Sequence, residues 1–157
     1  MHRSVHTVSP ALSLAELERA LVEREVSGFP VVDGDLVVGV VTRADIVRKL
    51  YLEHESAERT SDYFCDASGF HEIPLSTREQ KADRVGEQMD QLTVGDIMHR
   101  QLHAVSPDQS LRVVAQTMAD SKIHRILVIH EGRLHGVVSA LDIVRLYADG
   151  RIRPFWG

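Results

Sequence analysis

The sequence predicts an α/β (α+β) protein built from two tandem copies of one helix–strand–strand–helix unit. The first observation is an internal repeat, because residues 1–48 align without a gap on residues 98–145. About 17 of the roughly 48 aligned positions are identical. The second observation is that the apolar spacing in each copy changes from a helical period to short β-branched runs and back again. A unit of roughly 50 residues leaves too much of its sheet exposed to be stable alone, so we expect the two copies to pack together.

Each copy opens with a capped amphipathic helix. Ser13 followed by Glu16 is a capping-box pattern, which marks the start of a helix. The apolar residues that follow at helical spacing are Leu14, Leu17 and Leu21. In the second copy Ser110 takes the cap position, and the predicted apolar stripe is Leu111, Val114 and Met118.

Two short strands and a closing helix follow the first helix in each copy. The elements predicted for the first copy are a strand at Phe29–Val32, a turn at Asp33-Gly34, a strand at Leu36–Val41 and a helix from Arg43 to about Leu52. The elements predicted for the second copy are a strand at Ile126–Ile129, a turn at Glu131-Gly132, a strand at Leu134–Val138 and a helix from Ala140 to about Tyr147.

The chain is predicted to divide into four segments. These are a first repeat at 1–52, an acidic insert at 53–92 with a helix at 78–90, a second repeat at 93–149 and a tail at 150–157. The net charge of the whole chain is −5, whereas the insert alone carries about −6. The repeats are therefore almost neutral, and we expect neither nucleic-acid nor membrane binding, both of which favour a basic surface.

Cysteine content and hydropathy indicate the compartment. Cys65 is the single cysteine, so no disulfide forms within the chain, as is typical of a reducing cytosol. No apolar run approaches the length of a signal peptide or a membrane span. We expect a cytoplasmic protein.

Several motifs resemble a known family. Gly39–Asp45 and Gly136–Asp142 resemble the G-h-h-[ST]-x-x-D signature of CBS domains. Ser27–Asp33 is similar to the first-strand motif of that family, and Val94–Met98 is similar to its lead-in segment. The sequence departs from the pattern in the long insert and at Leu127, where the first copy has proline.

The resemblance implies a Bateman module, in which two CBS repeats are related by pseudo-twofold symmetry and enclose two clefts. Such modules bind adenosine compounds such as AMP, ADP, ATP or S-adenosylmethionine, require no other cofactor and form homodimers. They regulate a protein partner, which here must act in trans. This implication makes the chain a regulatory sensor and not an enzyme.

The chemistry of the signature suits such a ligand. A helix that begins directly after a strand offers unpaired N–H groups and a positive dipole end to a phosphate. Thr42 and Ser139 supply a hydroxyl at that turn, and the carboxylates of Asp45 and Asp142 can accept hydrogen bonds from both ribose hydroxyls. The same residues also form capping boxes, so the pattern alone fits a purely structural role as well.

The remaining candidate residues surround these turns. Backbone near Gly28 and Arg125 is expected to contact the adenine edge, with Val26 or Ile123 and Phe29 or Ile126 as apolar walls. The predicted nucleotide-binding residues are Val26, Ser27, Gly28, Phe29, Thr42, Arg43, Asp45, His103, Ala104, Lys122, Ile123, His124, Arg125, Ser139 and Asp142.

The two copies differ in charge beside the signature. The second copy carries Lys122, His124 and Arg125, whereas the equivalent positions of the first copy are Glu25, Ser27 and Gly28. Cations favour phosphate. We therefore expect the second copy to contribute the phosphate contacts, although the trio also fits a solvated basic edge.

Two alternative functions stay open at this point. One is a scaffold without a ligand, in which the repeats serve only for dimerisation or docking. The other is a metal protein that uses its histidines, since His2/His6 and His99/His103 have H-x3-H spacing, with Cys65 and His71 in the insert. These segments are predicted to be extended, where that spacing keeps the rings apart, so we expect no metal site. No nucleophile–base pairing is evident, which argues against an enzyme.

Overall fold

Both copies of the repeat fold as helix–strand–strand–helix, which confirms the predicted fold class. The computed structural model describes residues 4–50, 85–87 and 89–152. In chain order its elements are α1 (Leu14–Glu23), β1 (Gly28–Asp33), β2 (Leu36–Thr42), α2 (43–50), α3 (helical residues 85–87 and 89–91), α4 (Val94–Ile97), β3 (Ala104–Val105), α5 (Leu111–Asp120), β4 (Arg125–His130), β5 (Arg133–Ser139) and α6 (Ala140–Ala148).

The predicted caps are present at the helix starts. Ser13 accepts a hydrogen bond on Oγ from the N–H of Glu16 (3.3 Å), and the Glu16 carboxylate accepts one from the Ser13 N–H (3.1 Å). Ser110 accepts in the same way from the N–H of Val113 (3.4 Å). These bonds satisfy N–H groups that have no partner within the helix, so Ser13 and Ser110 fix where α1 and α5 begin.

The strands form two small sheets. β1 and β2 pair with each other, and the second sheet has the order β3-β4-β5. β4 and β5 are antiparallel, whereas β3 pairs parallel to β4, with Val105 opposite Val128. Val8 forms a parallel bridge with Val31 at the equivalent place in the first copy. The two copies therefore share a third strand position that the sequence pattern did not predict.

Apolar residues of each copy form its core. Leu14, Leu17 and Leu21 are fully buried, as predicted. In the second copy the buried cluster consists of Val114, Met118, Ile126, Val128 and Val138. Leu111, predicted as part of the apolar stripe of α5, is instead 37% exposed. Leu111 is the first residue of α5, as Leu14 is of α1, yet only Leu14 is buried, so the two copies differ at this position.

The chain divides into two compact units. One comprises residues 1–7, 32–39 and 100–157, and the other comprises residues 8–31 and 40–99. The tip of the first-copy hairpin thus belongs to the unit of the second copy. There the N–H of Val37 donates to the carbonyl of Gly132 (2.8 Å), and Arg133 pairs with Asp35 (3.1 Å).

Some predictions lie outside the described residues. These are the insert at 53–84, including Cys65 and His71, and the tail at 153–157. Of the helix predicted at 78–90, residues 85–87 and 89–90 are helical, and the others are not described. The four segment boundaries stay predictions. Among the helices of the described ranges, none combines the length and the apolar character that crossing a bilayer requires.

Candidate functional site

The signature of the first copy lies where β2 ends and α2 begins. The Thr42 N–H and hydroxyl both donate to Oδ2 of Asp45, at 2.8 and 2.7 Å. Asp45 is 4% exposed and is a buried charged residue of the core. The predicted cap is therefore present, and it fully occupies one of the two carboxylate oxygens.

The other oxygen of Asp45 is also occupied. Its Oδ1 lies 2.8 Å from Nε2 of His99 and 3.3 Å from Nη1 of Arg48. An ionised carboxylate only accepts hydrogen bonds, so the 2.8 Å contact is a hydrogen bond in the His99 tautomer that carries its hydrogen on Nε2. The His99 backbone is held by reciprocal hydrogen bonds with Val40, each 2.9 Å long. From the sequence His99 is only a metal candidate, and its contact with Asp45 was not predicted.

The signature of the second copy has the same cap at the start of α6. The Ser139 N–H donates to Oδ2 of Asp142 (2.9 Å), and the Asp142 N–H donates back to Oγ of Ser139 (3.1 Å). Both residues are partly buried. This turn therefore presents the hydroxyl–carboxylate pair that the sequence predicts at the edge of the second copy.

The first strand of each copy begins beside this turn. The carbonyl of Ser27 accepts from the N–H of Arg43 (3.0 Å), and the carbonyl of His124 accepts from the N–H of Ala140 (2.9 Å). Arg125 lies opposite Ser139 in the sheet. Within each unit, the strand-start and helix-start segments that the sequence assigned to one surface are therefore adjacent.

Gly28 is required by this close approach. A Cβ at this position would lie 2.6 Å from the Val41 carbonyl oxygen and 2.9 Å from Cγ2 of Thr42. No real side chain tolerates such contacts without movement of the strand. The position equivalent to Arg125 is thus restricted to glycine in the first copy.

A groove of about 490 Å³ lies on the second copy. Its apolar floor and polar rim are formed by Ala115, Met118, Ala119, Lys122, Ile123, His124, Ala140 and Ile143. Small-molecule sites are commonly about 300–1,000 Å³ with an apolar lining and a few polar groups. The groove therefore brings Lys122, Ile123 and His124 of the predicted set to one concave surface.

The first copy has a surface depression that shares only the Arg43 position, equivalent to Ala140, with this groove. It measures about 670 Å³ and is lined by Arg43, Ala44, Val47 and Arg48. All four residues belong to α2, whereas the groove of the second copy is lined by residues of several elements.

Lys122 has an unusual backbone conformation. It follows the C-cap of α5 with φ +53°, in the left-handed region. Its N–H donates to the carbonyl of Ala119 (3.2 Å) and the Ile123 N–H donates to the carbonyl of Met118 (3.0 Å), the pattern of a Schellman helix ending. Glycine is the usual residue there, since a side chain in this conformation costs about 1–2 kcal/mol.

Glu25 ends α1 in the same conformation, with φ +52°. Its N–H donates to the carbonyl of Val22, and the next N–H donates to that of Leu21, at 3.2 Å each. Both copies thus place a charged residue where glycine is favoured, and the charges are opposite in sign.

The other predicted residues have varied environments. Val26 and Ile123 are partly buried, but Phe29 and Ile126 are core residues and do not form an open wall. His103 and Ala104 are exposed at the start of β3. The assignment of these residues to a nucleotide stays a prediction.

The histidines of the described ranges do not gather into a metal centre. Within those ranges no three His, Cys, Asp or Glu side chains are grouped as metal ligands. His130 and His135 meet edge to face, with ring centroids 5.6 Å apart. His2, Cys65 and His71 lie outside the described residues.

Comparison with known families agrees with the repeat architecture. The family model of the CBS domain matches residues 1–52 and 94–149. The chain therefore belongs to the CBS domain family, with two copies of the domain.

Two curated relatives illustrate the contexts in which similar chains occur. Inosine-5'-monophosphate dehydrogenase of Korarchaeum cryptofilum is 30% identical over 142 residues, which cover 90% of this chain and 22% of that protein. The chloroplastic CBS domain-containing protein CBSX2 of Arabidopsis thaliana is 26% identical over 145 residues, covering 91% of this chain and 58% of that protein. The chain thus corresponds to only a part of each relative.

Solved structures share the fold. Protein MJ1225 of Methanocaldococcus jannaschii has a TM-score of 0.68 at 20% identity, covering 94% of this chain and 45% of that one. CBSX2, in a crystal structure of its complex with AMP, has a TM-score of 0.64 at 22% identity, covering 95% of this chain and 91% of that one. These similarities establish a CBS-pair fold for the chain.

Proposed function

We propose that this CBS pair is a regulatory sensor that binds an adenine nucleotide, AMP, ADP or ATP, and acts on a protein partner in trans. The observation that carries this proposal is the 490 Å³ groove of the second copy, whose rim includes Lys122 and His124. The AMP complex of CBSX2, a protein of the same fold, supports an adenosine ligand.

The charges at the rim favour a ligand that carries phosphate. Lys122 supplies a point charge at the rim. Arg125 does not line the groove, but it follows His124 at the start of β4, opposite Ser139 in the sheet, and adds a forked donor set nearby. The amide groups at the start of α6 add a positive dipole end. Because these groups are cations or donors, we rank AMP, ADP and ATP above S-adenosylmethionine, whose sulfonium centre is itself a cation.

The experiment compares AMP with adenosine in a single variant. His124→Ala should weaken AMP binding about tenfold, as expected for one lost hydrogen bond to a charged group. The same variant should leave adenosine binding unchanged, because adenosine has no phosphate. His130→Ala, at the other end of β4, is the matched control and should bind both ligands as the unmodified protein does. Equal loss of both ligands in His124→Ala contradicts the assignment of phosphate to this rim.

In this proposal the chain regulates a partner and catalyses no reaction itself. The dehydrogenase relative matches over only 22% of its length, so its activity as a whole protein is not carried over to this chain. We infer that signalling follows from differential stabilisation, since a ligand shifts a conformational equilibrium only by binding its two states unequally.

A docking scaffold is the second candidate, and a specific observation favours it. Helix α6 has no fully buried residue, and Leu141, Val144 and Tyr147 are 55%, 59% and 57% exposed. Exposed apolar stripes of this kind mark interfaces. We propose that this stripe contacts a second copy of the chain in a homodimer, a role that is compatible with nucleotide binding.

A further inference from the structure

The carboxylate of Asp45 has a complete set of hydrogen-bond partners within the chain. A carboxylate offers about four acceptor sites. Four donors of this protein occupy them, with Thr42 providing two to Oδ2 and with His99 and Arg48 providing one each to Oδ1. The side chain of Asp45 is 3% exposed. A ribose that donates both hydroxyls to this carboxylate must therefore replace some of these donors.

The Thr42 donors cannot leave without loss of the helix start. They belong to the cap of α2, in which Thr42 and Asp45 are only three residues apart. The donors on Oδ1 are different, because Arg48 lies at 3.3 Å on a long flexible side chain. His99, at 2.8 Å, is the closer donor on Oδ1, and it comes from 54 residues further along the chain.

Because of where His99 lies in the chain, its release from Asp45 affects the segment around it. His99 follows the short helix α4 and is tied to Val40 of β2 by two backbone hydrogen bonds. It is also the last residue of its compact unit, since residue 100 belongs to the other. A change at His99 therefore occurs in the segment through which the chain leaves one unit for the next.

We propose that His99 is an internal competitor for the ribose position at Asp45. The first copy accepts an adenosine ligand only when the His99 imidazole leaves Oδ1, and the ligand then takes over that hydrogen bond. Ligand occupancy is thereby coupled to the state of the segment at His99. This inference rests on the proposed function and adds to it a regulatory residue that does not contact the nucleotide.

The experiment measures AMP affinity by isothermal titration in a background with Asp142→Asn, which removes the equivalent carboxylate charge of the second copy. Adding His99→Ala should tighten AMP binding about tenfold, because the ligand no longer has to break a hydrogen bond to a charged group. His99→Gln, whose amide can still donate to Asp45, should lie closer to the unmodified background. His135→Ala, a histidine of the β4–β5 hairpin, is the matched control and should not change the affinity.

A second readout follows the ring directly. In protein with 15N-labelled histidine and otherwise native sequence, saturation with AMP should shift the Nε2 resonance of His99 to that of an imidazole without the Asp45 bond. A second outcome also supports the proposal, namely that the His99→Ala protein binds AMP and the unmodified protein does not. It would mean that His99 keeps the site at Asp45 closed in the unmodified protein.

Three results would overturn the inference. Equal or weaker AMP affinity in His99→Ala refutes the competitor and leaves the proposed function intact. An unchanged Nε2 resonance at saturation refutes it in the same way. Failure of every variant and of the unmodified protein to bind AMP, ADP or ATP refutes the competitor and the proposed function together.

Discussion

Replacing Lys122 by glycine should make the protein more stable and a poorer nucleotide binder at the same time. Lys122 adopts φ +53° at the end of α5. Glycine removes a strain of about 1–2 kcal/mol, but it adds about 0.4–1 kcal/mol of unfolded-state entropy. The net gain is about 0.5–1 kcal/mol, which raises Tm by about 1–4 °C in a chain of this size.

The equivalent substitution in the first copy separates strain from charge. Glu25 has φ +52° and the same pair of helix-ending hydrogen bonds, so Glu25→Gly should raise Tm by a similar amount. Only Lys122→Gly removes a cation from the groove. It should weaken AMP binding about tenfold or more, as expected for a charge-assisted hydrogen bond, whereas Glu25→Gly should not weaken it.

Differential scanning calorimetry and isothermal titration on the two variants are sufficient measurements. A lower Tm in both variants refutes the argument from backbone strain. A higher Tm in Lys122→Gly with unchanged AMP affinity refutes the phosphate contact and leaves the strain argument in place.

Three further perturbations test separate parts of the account. Gly28→Ala should destabilise the fold by about 1–3 kcal/mol in urea unfolding, because its Cβ would meet the Val41 carbonyl at 2.6 Å; an unchanged midpoint would contradict the close approach. Val144→Asp should shift the protein to a monomer in light scattering, since a buried charge opposes the proposed contact; a persistent dimer would exclude this face. Hydrogen bonds from the Ser13 backbone and hydroxyl lower the pKa of Glu16 from its usual 4.5. That stabilisation is present above about pH 4.5 and is lost as pH falls through the lower folded value. Glu16→Gln should therefore make the free energy of unfolding depend less steeply on pH in this range.

Local features of the sequence predicted most of the fold. Capping boxes and apolar spacing act over three or four residues, so Ser13 and Ser139 located helix starts that the structure has. The internal repeat then doubled this information, because each element appears twice at a constant offset. The exposure of Leu111 escaped prediction, since apolar spacing places a residue on a helix face but does not say how far the neighbouring sheet extends.

Features that depend on distant residues could not be predicted from the sequence. The short strand β3 has two residues, too few for any alternating pattern, and it is defined only by its pairing with β4. The contact of His99 with Asp45 spans 54 residues, and no spacing rule links positions so far apart. The left-handed conformation of Lys122 carries no signal in the residue type, because lysine is not favoured there.

The central claim, that this CBS pair senses an adenine nucleotide, is tested most directly by thermal stability in the presence of AMP, ADP, ATP, S-adenosylmethionine, NAD and GTP. A ligand at about 100 times its Kd adds about 2.7 kcal/mol to the free energy of unfolding, which raises Tm by about 5–10 °C for a chain of this length. We expect such a shift with AMP, ADP or ATP and a smaller one in Asp142→Ala, which removes the carboxylate of the second copy only. No shift with any adenine nucleotide at millimolar concentration would contradict the claim and leave the docking scaffold.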